Sequence, residues 1–264
     1  MNLIVKKYEL IIAVTVIILV IFGFGTSVNN TPVSPPPEIS VREFQPAPVS
    51  KNPVVPDTAT IVNLSVTEEA QTLTRRKMVA LTFDDGPHPY YTDALIKTLK
   101  DYSVPATFFV VGKQMEKYPE ILRRITAAGF GVGGHSYTHS HLMPPDEATA
   151  TGIVEKELDR TRLLIKKFAS VDSYIFRPPG GKYDEALLNA ARRKGYKMVL
   201  WDVLPKDHIA DLPPEEISSR VISGVVSSEG GIVLMHSGNP ATIKALGTII
   251  PQLRRAGYTF VKLE

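Results

Sequence analysis

The chain has 264 residues and no cysteine. Disulfide staples, thiolate nucleophiles and cysteine-held zinc are thereby excluded, and any metal must be held by His, Asp, Glu or weaker oxygen ligands. No basic run is interleaved with aromatics, and the formal net charge is only +3. Composition therefore makes no case for a nucleic-acid partner. Long apolar runs are missing except near the N-terminus, where Lys6 and Lys7 precede an uncharged stretch from Leu10 to Gly25. At about 1.5 Å per residue that stretch reaches ~24 Å, short of a ~30 Å hydrocarbon core. Snorkelling lysines and Thr26–Val28 make up the difference. No A-x-A-like cleavage site is clear, which favours a retained anchor over residues 1–28 against a cleaved signal peptide. The flanking lysines put the remainder outside the cytoplasm, tethered to the cell membrane by a single pass, or secreted if the segment is removed.

Residues 29–57 carry eight prolines and few large apolar side chains. Such a stretch cannot build a core and reads as an extended, semi-rigid spacer, here bounded at 29–74. From residue 75 the pattern becomes regular. Strand-like runs (Met78–Phe83, Ala106–Val111, Tyr174–Phe176, Lys197–Trp201, Gly231–Met235, Tyr258–Leu263) alternate with amphipathic helical ones. Among the latter, Ala148–Phe168 reads as one helix with Ile153, Leu158, Leu163 and Leu164 as core candidates. Repeated β–α alternation argues for parallel strands with helices outside, over a length that suits a small barrel.

Chemistry-bearing residues collect where these strands end. Asp84-Asp85-Gly86 closes the first run, and two adjacent carboxylates there are costly unless a metal, a cation or a proton compensates them. Gly134-His135-Ser136-Tyr137-Thr138-His139 spaces two histidines four apart, which on a helical turn would put both on one side as metal ligands. Two imidazoles and a carboxylate leave coordination positions free for water and substrate. Phe176-Arg177-Pro178-Pro179-Gly180-Gly181 offers an arginine fixed by a rigid turn and able to orient a buried carboxylate. Trp201–His208 follows another strand and includes Asp207, and Leu234-Met235-His236 closes a further one. All six histidines fall in or beside such stretches.

These motifs, in this order, resemble those of the polysaccharide deacetylase family of carbohydrate esterases, the NodB-homology domain. The resemblance covers residues 75–264 and is most specific at Thr82–Gly86 and His135–His139. It implies an α/β fold, a distorted (β/α)7-type barrel, placed after the membrane helix and the Pro-rich linker. It also implies metal-dependent removal of N-acetyl groups from N-acetylglucosamine-type residues of a polysaccharide, peptidoglycan or chitin-like. Carried over by position, Asp84 is the general base and Asp85, His135 and His139 are the metal ligands. Arg177 orients the base, His236 is the general acid, and Asp207 holds and tunes that histidine. Zn2+ is the default ion, with Co2+, Ni2+ or Mn2+ able to serve.

The sequence departs from the family pattern at Leu204 and His208, where the fourth motif has Asp and Trp, and at Gly180, where an aromatic is common. These positions bear on substrate preference and rate. They motivate an alternative, a glycan-binding domain of the same fold without useful turnover. A third reading, a non-haem iron oxygenase, shares the two-histidine, one-carboxylate set, but needs neither the second aspartate nor the Asp207–His236 pair.

Overall fold

The computed structural model describes residues 77–264. The expected membrane anchor and Pro-rich linker lie outside the described residues. Within them, no helix is long and apolar enough to cross a membrane.

The fold is built around β1 (Met78–Gly86), whose apolar run is buried on both faces, as a strand covered by helices on one side and a barrel interior on the other requires. One edge pairs with β6 (Gly231–His236), from Val79 opposite Gly231 to Asp84 opposite His236. The other edge is shared by β2 (Thr107–Val110) at its upper half and β7 (Thr259–Val261) at its lower half. Beyond β2 follow β3 (Gly131–Gly134), β4 (Ile175–Phe176) and β5 (Lys197–Met198), all parallel. Just after β5, Val203 bridges Val233 of β6. Its N–H donates to the Ile232 carbonyl and its own carbonyl accepts from the Leu234 N–H. That bridge curls the sheet round on itself, so the short strands leave few unpaired edges.

Period-two alternation sorts the residues of β1. Val79, Leu81 and Phe83 face the helices and join the main core, with Leu95 and Leu99 of α1 (Thr92–Asp101), Leu122 and Ile125 of α3 (Pro119–Ala127), Val221 of α7 (Pro214–Ser227) and Leu246 of α8 (Pro240–Arg255). Ala80 faces inward with Phe109, Ile175, Val199 and Ile232. By the same alternation Thr82 and Asp84 also face inward, above that apolar floor. A second core lies under α4 (Glu147–Ile153) and α6 (Glu185–Arg193). Helix starts are well made: Asp146 accepts the Thr149 N–H and Asp184 the Leu187 N–H, and α3, α7 and α8 carry proline in the first turn.

The structure departs from the sequence pattern at several points: β3 forms from Gly131–Gly134, which is not among the strand-like runs, and β5 stops at Met198 rather than Trp201. A short helix, α2 (Gly112–Lys117), follows β2 directly. The stretch expected as one regular helix over Ala148–Phe168 is interrupted by a π-helical turn, Val154–Asp159, between α4 and α5 (Arg160–Ala169). The wider turn shifts the buried face, because i→i+5 bonding inserts a residue into the helical register. Thr161 and Ile165 are buried, whereas Leu163, expected in the core, is 58% exposed.

Candidate active site

The C-terminal ends of β1, β3, β4 and β6, with the loop after β5, converge on one rim of the barrel, the end at which parallel α/β folds place their ligands. Asp84, Asp85, His135, His139, Arg177, Asp207 and His236 all gather there.

Arg177 ties the rim together. It is fully buried, and burial pulls its pKa down, opposed by the charge and hydrogen bond of Asp84. Its Nη1 donates to Asp84 Oδ1 at 2.7 Å and to Thr82 Oγ1 at 2.9 Å. Its other nitrogens donate to the carbonyls of Val199 and Leu200, and its guanidinium lies 4.2 Å from the Phe109 ring centre. A buried guanidinium held by so many acceptors fixes the carboxylate it meets. Thr82 was not singled out from the sequence, although its place two residues before Asp84 puts it on the same face.

The Arg177 backbone contributes as well. His135 Nδ1 lies 2.8 Å from the Arg177 carbonyl oxygen. A carbonyl only accepts, so Nδ1 carries the proton and Nε2 of the neutral ring is a bare lone pair. That Nε2 faces Asp85 Oδ1 at 3.4 Å and Asp84 Oδ2 at 3.6 Å, while His139 Nε2 lies 2.9 Å from Asp85 Oδ1. Asp85 Oδ1 is buried and makes no hydrogen bond of ordinary geometry. Burial opposes ionisation of Asp85, but His135 and His139 in their protonated forms outweigh it by hydrogen bonding and charge and hold its pKa well below the usual carboxylate range. The adjoining carboxylate raises the pKa of His139 in turn, against its partial burial. Ligand atoms of Asp85, His135 and His139 all lie within 4.8 Å of one another. An orphaned carboxylate oxygen facing a bare imidazole nitrogen is a donor set that fits a divalent cation.

His135 and His139 do not reach this arrangement on a helical turn, as their spacing suggested. They flank a loop in which Ser136 and His139 take positive φ, 57° and 65°, and Ser136 Oγ accepts the His139 N–H at 2.9 Å. The loop follows a strand whose backbone bonds run to its neighbours, which leaves no helical ladder to continue.

Across the rim, Asp207 is buried and fully engaged. Oδ1 accepts from His236 Nδ1 at 2.7 Å, and Oδ2 accepts the His236 N–H at 2.8 Å and the Thr242 hydroxyl at 2.6 Å. Burial opposes the His236 cation, but the hydrogen bond and charge of Asp207, with the charges of Asp84 and Asp85, raise its pKa above the usual value. Thr242 and Asn239, whose amide donates to the Asp207 carbonyl, are further supports that no motif signalled. The ligand atoms of Asp207, His208 and His236 also come within 4.8 Å of one another. Both Asp207 oxygens are already taken, however, so that group offers no spare carboxylate.

Two adjoining cavities open at this rim. One of about 360 Å3 is lined by Asp84, His135, His139, Trp201, Leu204 and Leu234, and one of about 610 Å3 by His88, Gln114, Ile209 and Asn239. Asp85, His208 and His236 line both. A larger cavity, about 750 Å3, lies at the opposite strand ends against Phe130, Val132 and Tyr174, away from every one of these groups. Leu204 and the exposed His208 form walls, the His208 ring 5.4 Å from that of His236. Gly180 sits at φ 65°, where a Cβ would come within 3.3 Å of His141 Nε2, so His141 takes the space beside it.

A family model described as polysaccharide deacetylase matches residues 71–199. A peptidoglycan-N-acetylglucosamine deacetylase of Bacillus cereus is 34% identical over 196 residues, 71% of this chain and 87% of that protein. The chain belongs to the polysaccharide deacetylase family. A second member, a chitooligosaccharide deacetylase of Bradyrhizobium, is 32% identical over 69% of this chain and 87% of its own length. A solved family 4 acetyl xylan esterase from Clostridium thermocellum, in complex with a cobalt ion, superposes with a TM-score of 0.63 at 32% identity, covering 70% of this chain and 87% of that one. Polysaccharide deacetylase membership places the chain among hydrolases acting on amide bonds.

Proposed function

We propose that the chain is a metal-dependent N-deacetylase acting on N-acetylglucosamine-type residues of peptidoglycan or a chitin-like glycan. The observation that carries this reading is the bare Nε2 of His135 facing the orphaned Oδ1 of Asp85, with His139 completing the set. A divalent cation held by Asp85, His135 and His139, Zn2+ by default for such ligands, would polarise the acetyl carbonyl and lower the pKa of water.

The chain's own groups then divide the proton work. Asp84, locked through Oδ1 by Arg177, has Oδ2 free to take a proton from the attacking water. His236 carries its Nδ1 proton on Asp207 and presents Nε2 to the cavity. Held as the cation, it gives the Nε2 proton to the amide nitrogen. The water oxygen bonds to the acetyl carbon, the C–N bond breaks, and acetate and a free sugar amine leave. Leu204, His208 and Gly180 form walls rather than part of this set, so they bear on which sugar fits. The paired Asp84–Arg177 and Asp207–His236 groups favour hydrolysis over an iron oxygenase and over binding without turnover.

We further propose that this domain, residues 75–264, is carried outside the cell membrane on the spacer over 29–74 and the anchor over 1–28, as the lysine-flanked apolar run suggests. The functional test uses the full chain loaded with Zn2+ and follows acetate release from N-acetylglucosamine oligomers and from peptidoglycan. Acetate from either substrate is the expected result. With one equivalent of metal bound, no acetate from either would contradict the proposal.

A further inference from the structure

The loop carrying His135 and His139 is gripped from two sides. On one side the carbonyls of Ser136 and Tyr137 accept from the N–H groups of Gly112 and Lys113 at 3.0 and 2.9 Å. These are donors that the first turn of α2 leaves free. Glycine is needed for this approach, since a Cβ at Gly112 would lie 2.8 Å from Tyr137 Cα.

On the other side stands a single carboxylate, Glu157. Its Oε2 accepts the N–H groups of Tyr137 and Thr138 at 2.9 and 2.8 Å, and its Oε1 accepts the Thr138 hydroxyl at 3.0 Å. All three donors belong to residues between the two histidines. Glu157 is only partly buried and lies within the π-helical turn. Its backbone carbonyl is tied by the Thr161 hydroxyl at 2.6 Å. Tyr137 is held further by its hydroxyl on Glu116 at 2.7 Å and by the Arg160 guanidinium 3.5 Å from its ring centre.

We infer that Glu157 is a positioning residue for the cation set: through the Tyr137 and Thr138 amides it fixes the loop conformation that brings His135 and His139 Nε2 toward Asp85. This rests on the reading of Asp85, His135 and His139 as metal ligands. An acceptor-only group suits the task, because two loop N–H groups point at it, and the Thr138 hydroxyl, which also lies 2.9 Å from Ser140 Oγ, adds a third donor. Without it, two loop amides lose their partner while Ser136 and His139 remain at positive φ, and the loop relaxes away from the metal geometry. The π-helical turn thereby gains a purpose, since such turns are frequent at functional sites.

The test titrates Co2+ into the metal-stripped full chain against a competing chelator, with the visible spectrum of the bound ion recorded. Glu157→Ala is expected to weaken Co2+ binding about 10- to 100-fold and to change the spectrum, while far-ultraviolet dichroism stays that of the wild type. Glu157→Gln, whose amide oxygen still accepts both N–H groups, is expected to restore most of the affinity. Should Glu157→Ala lose the fold, Glu157→Asp, one methylene shorter, carries the same comparison. Affinity within about threefold of wild type in the folded variant would overturn the role of Glu157 and leave the metal reading standing. No Co2+ uptake by the wild type would overturn both.

Discussion

On the β6 side of the site Asp207 is fully matched: it uses both oxygens on His236 and Thr242, and its backbone carbonyl accepts from Asn239. On the β3 side the matching stops short. His135 is fixed through Nδ1 but presents a bare Nε2, and Asp85 Oδ1, in a side chain 43% exposed, is left without a hydrogen bond. The closed half is arranged to hold one proton at a fixed place. The open half is arranged to receive something positive from outside. Both rest on the same principle, that a buried polar atom needs a partner, and differ only in whether the chain supplies it. Arg177 serves the site twice, since its side chain anchors Asp84 and its carbonyl sets the His135 tautomer.

The contrast can be broken at several points. The largest effect on turnover is expected from His236→Ala, about 10²- to 10⁴-fold in kcat, with bound metal unchanged. Joint loss of metal and activity would show that the halves are not separate. Arg177→Met leaves Asp84 buried beside an apolar chain and is expected to lower stability by about 3–5 kcal/mol in chemical denaturation. Its backbone carbonyl remains, so the folded fraction should still take up metal.

Asp207→Asn acts through pH. Asp207 raises the pKa of His236 against burial, and the acid must be protonated, so activity falls as pH rises through that pKa. Removing the carboxylate lowers it, and the alkaline limb of the kcat profile should move to lower pH. A shift of one unit corresponds to about tenfold in activity above the limb. A limb that stays in place would remove His236 as the acid. The smallest effect is expected from His208→Trp, which alters a wall shared by both cavities. It should change KM among glycans by a few-fold and leave the metal content and the alkaline limb as they were.

Much of this was legible from residue order. The unbroken apolar run of β1 and the polar residues at each strand end are local features, and local features survive folding. Asp84 and Asp85 could be separated in role only by resemblance to a family. The structure adds why neighbours differ: Asp84 follows Ala80 and Thr82 into the barrel, while Asp85 takes φ 69° at the turn and reaches the histidines. What the sequence hid depends on bonds between distant residues. The spacing of His135 and His139 suggested a helical turn, but the loop is set by α2 and by Glu157, twenty residues from Tyr137 in sequence. Leu163 looked apolar and in phase, yet the π-helical turn carries it to the surface, and no periodicity in the sequence marks that turn.

The central claim, that adjacent aspartates serve different tasks, is tested most directly by pairing two variants. Metal content and acetate release would be measured together on Asp84→Asn and His139→Ala in the full chain. The account predicts that Asp84→Asn keeps one equivalent of metal while losing turnover, and that His139→Ala loses both. Equal loss of metal in the two variants, or acetate release by Asp84→Asn at the wild-type rate, would contradict it.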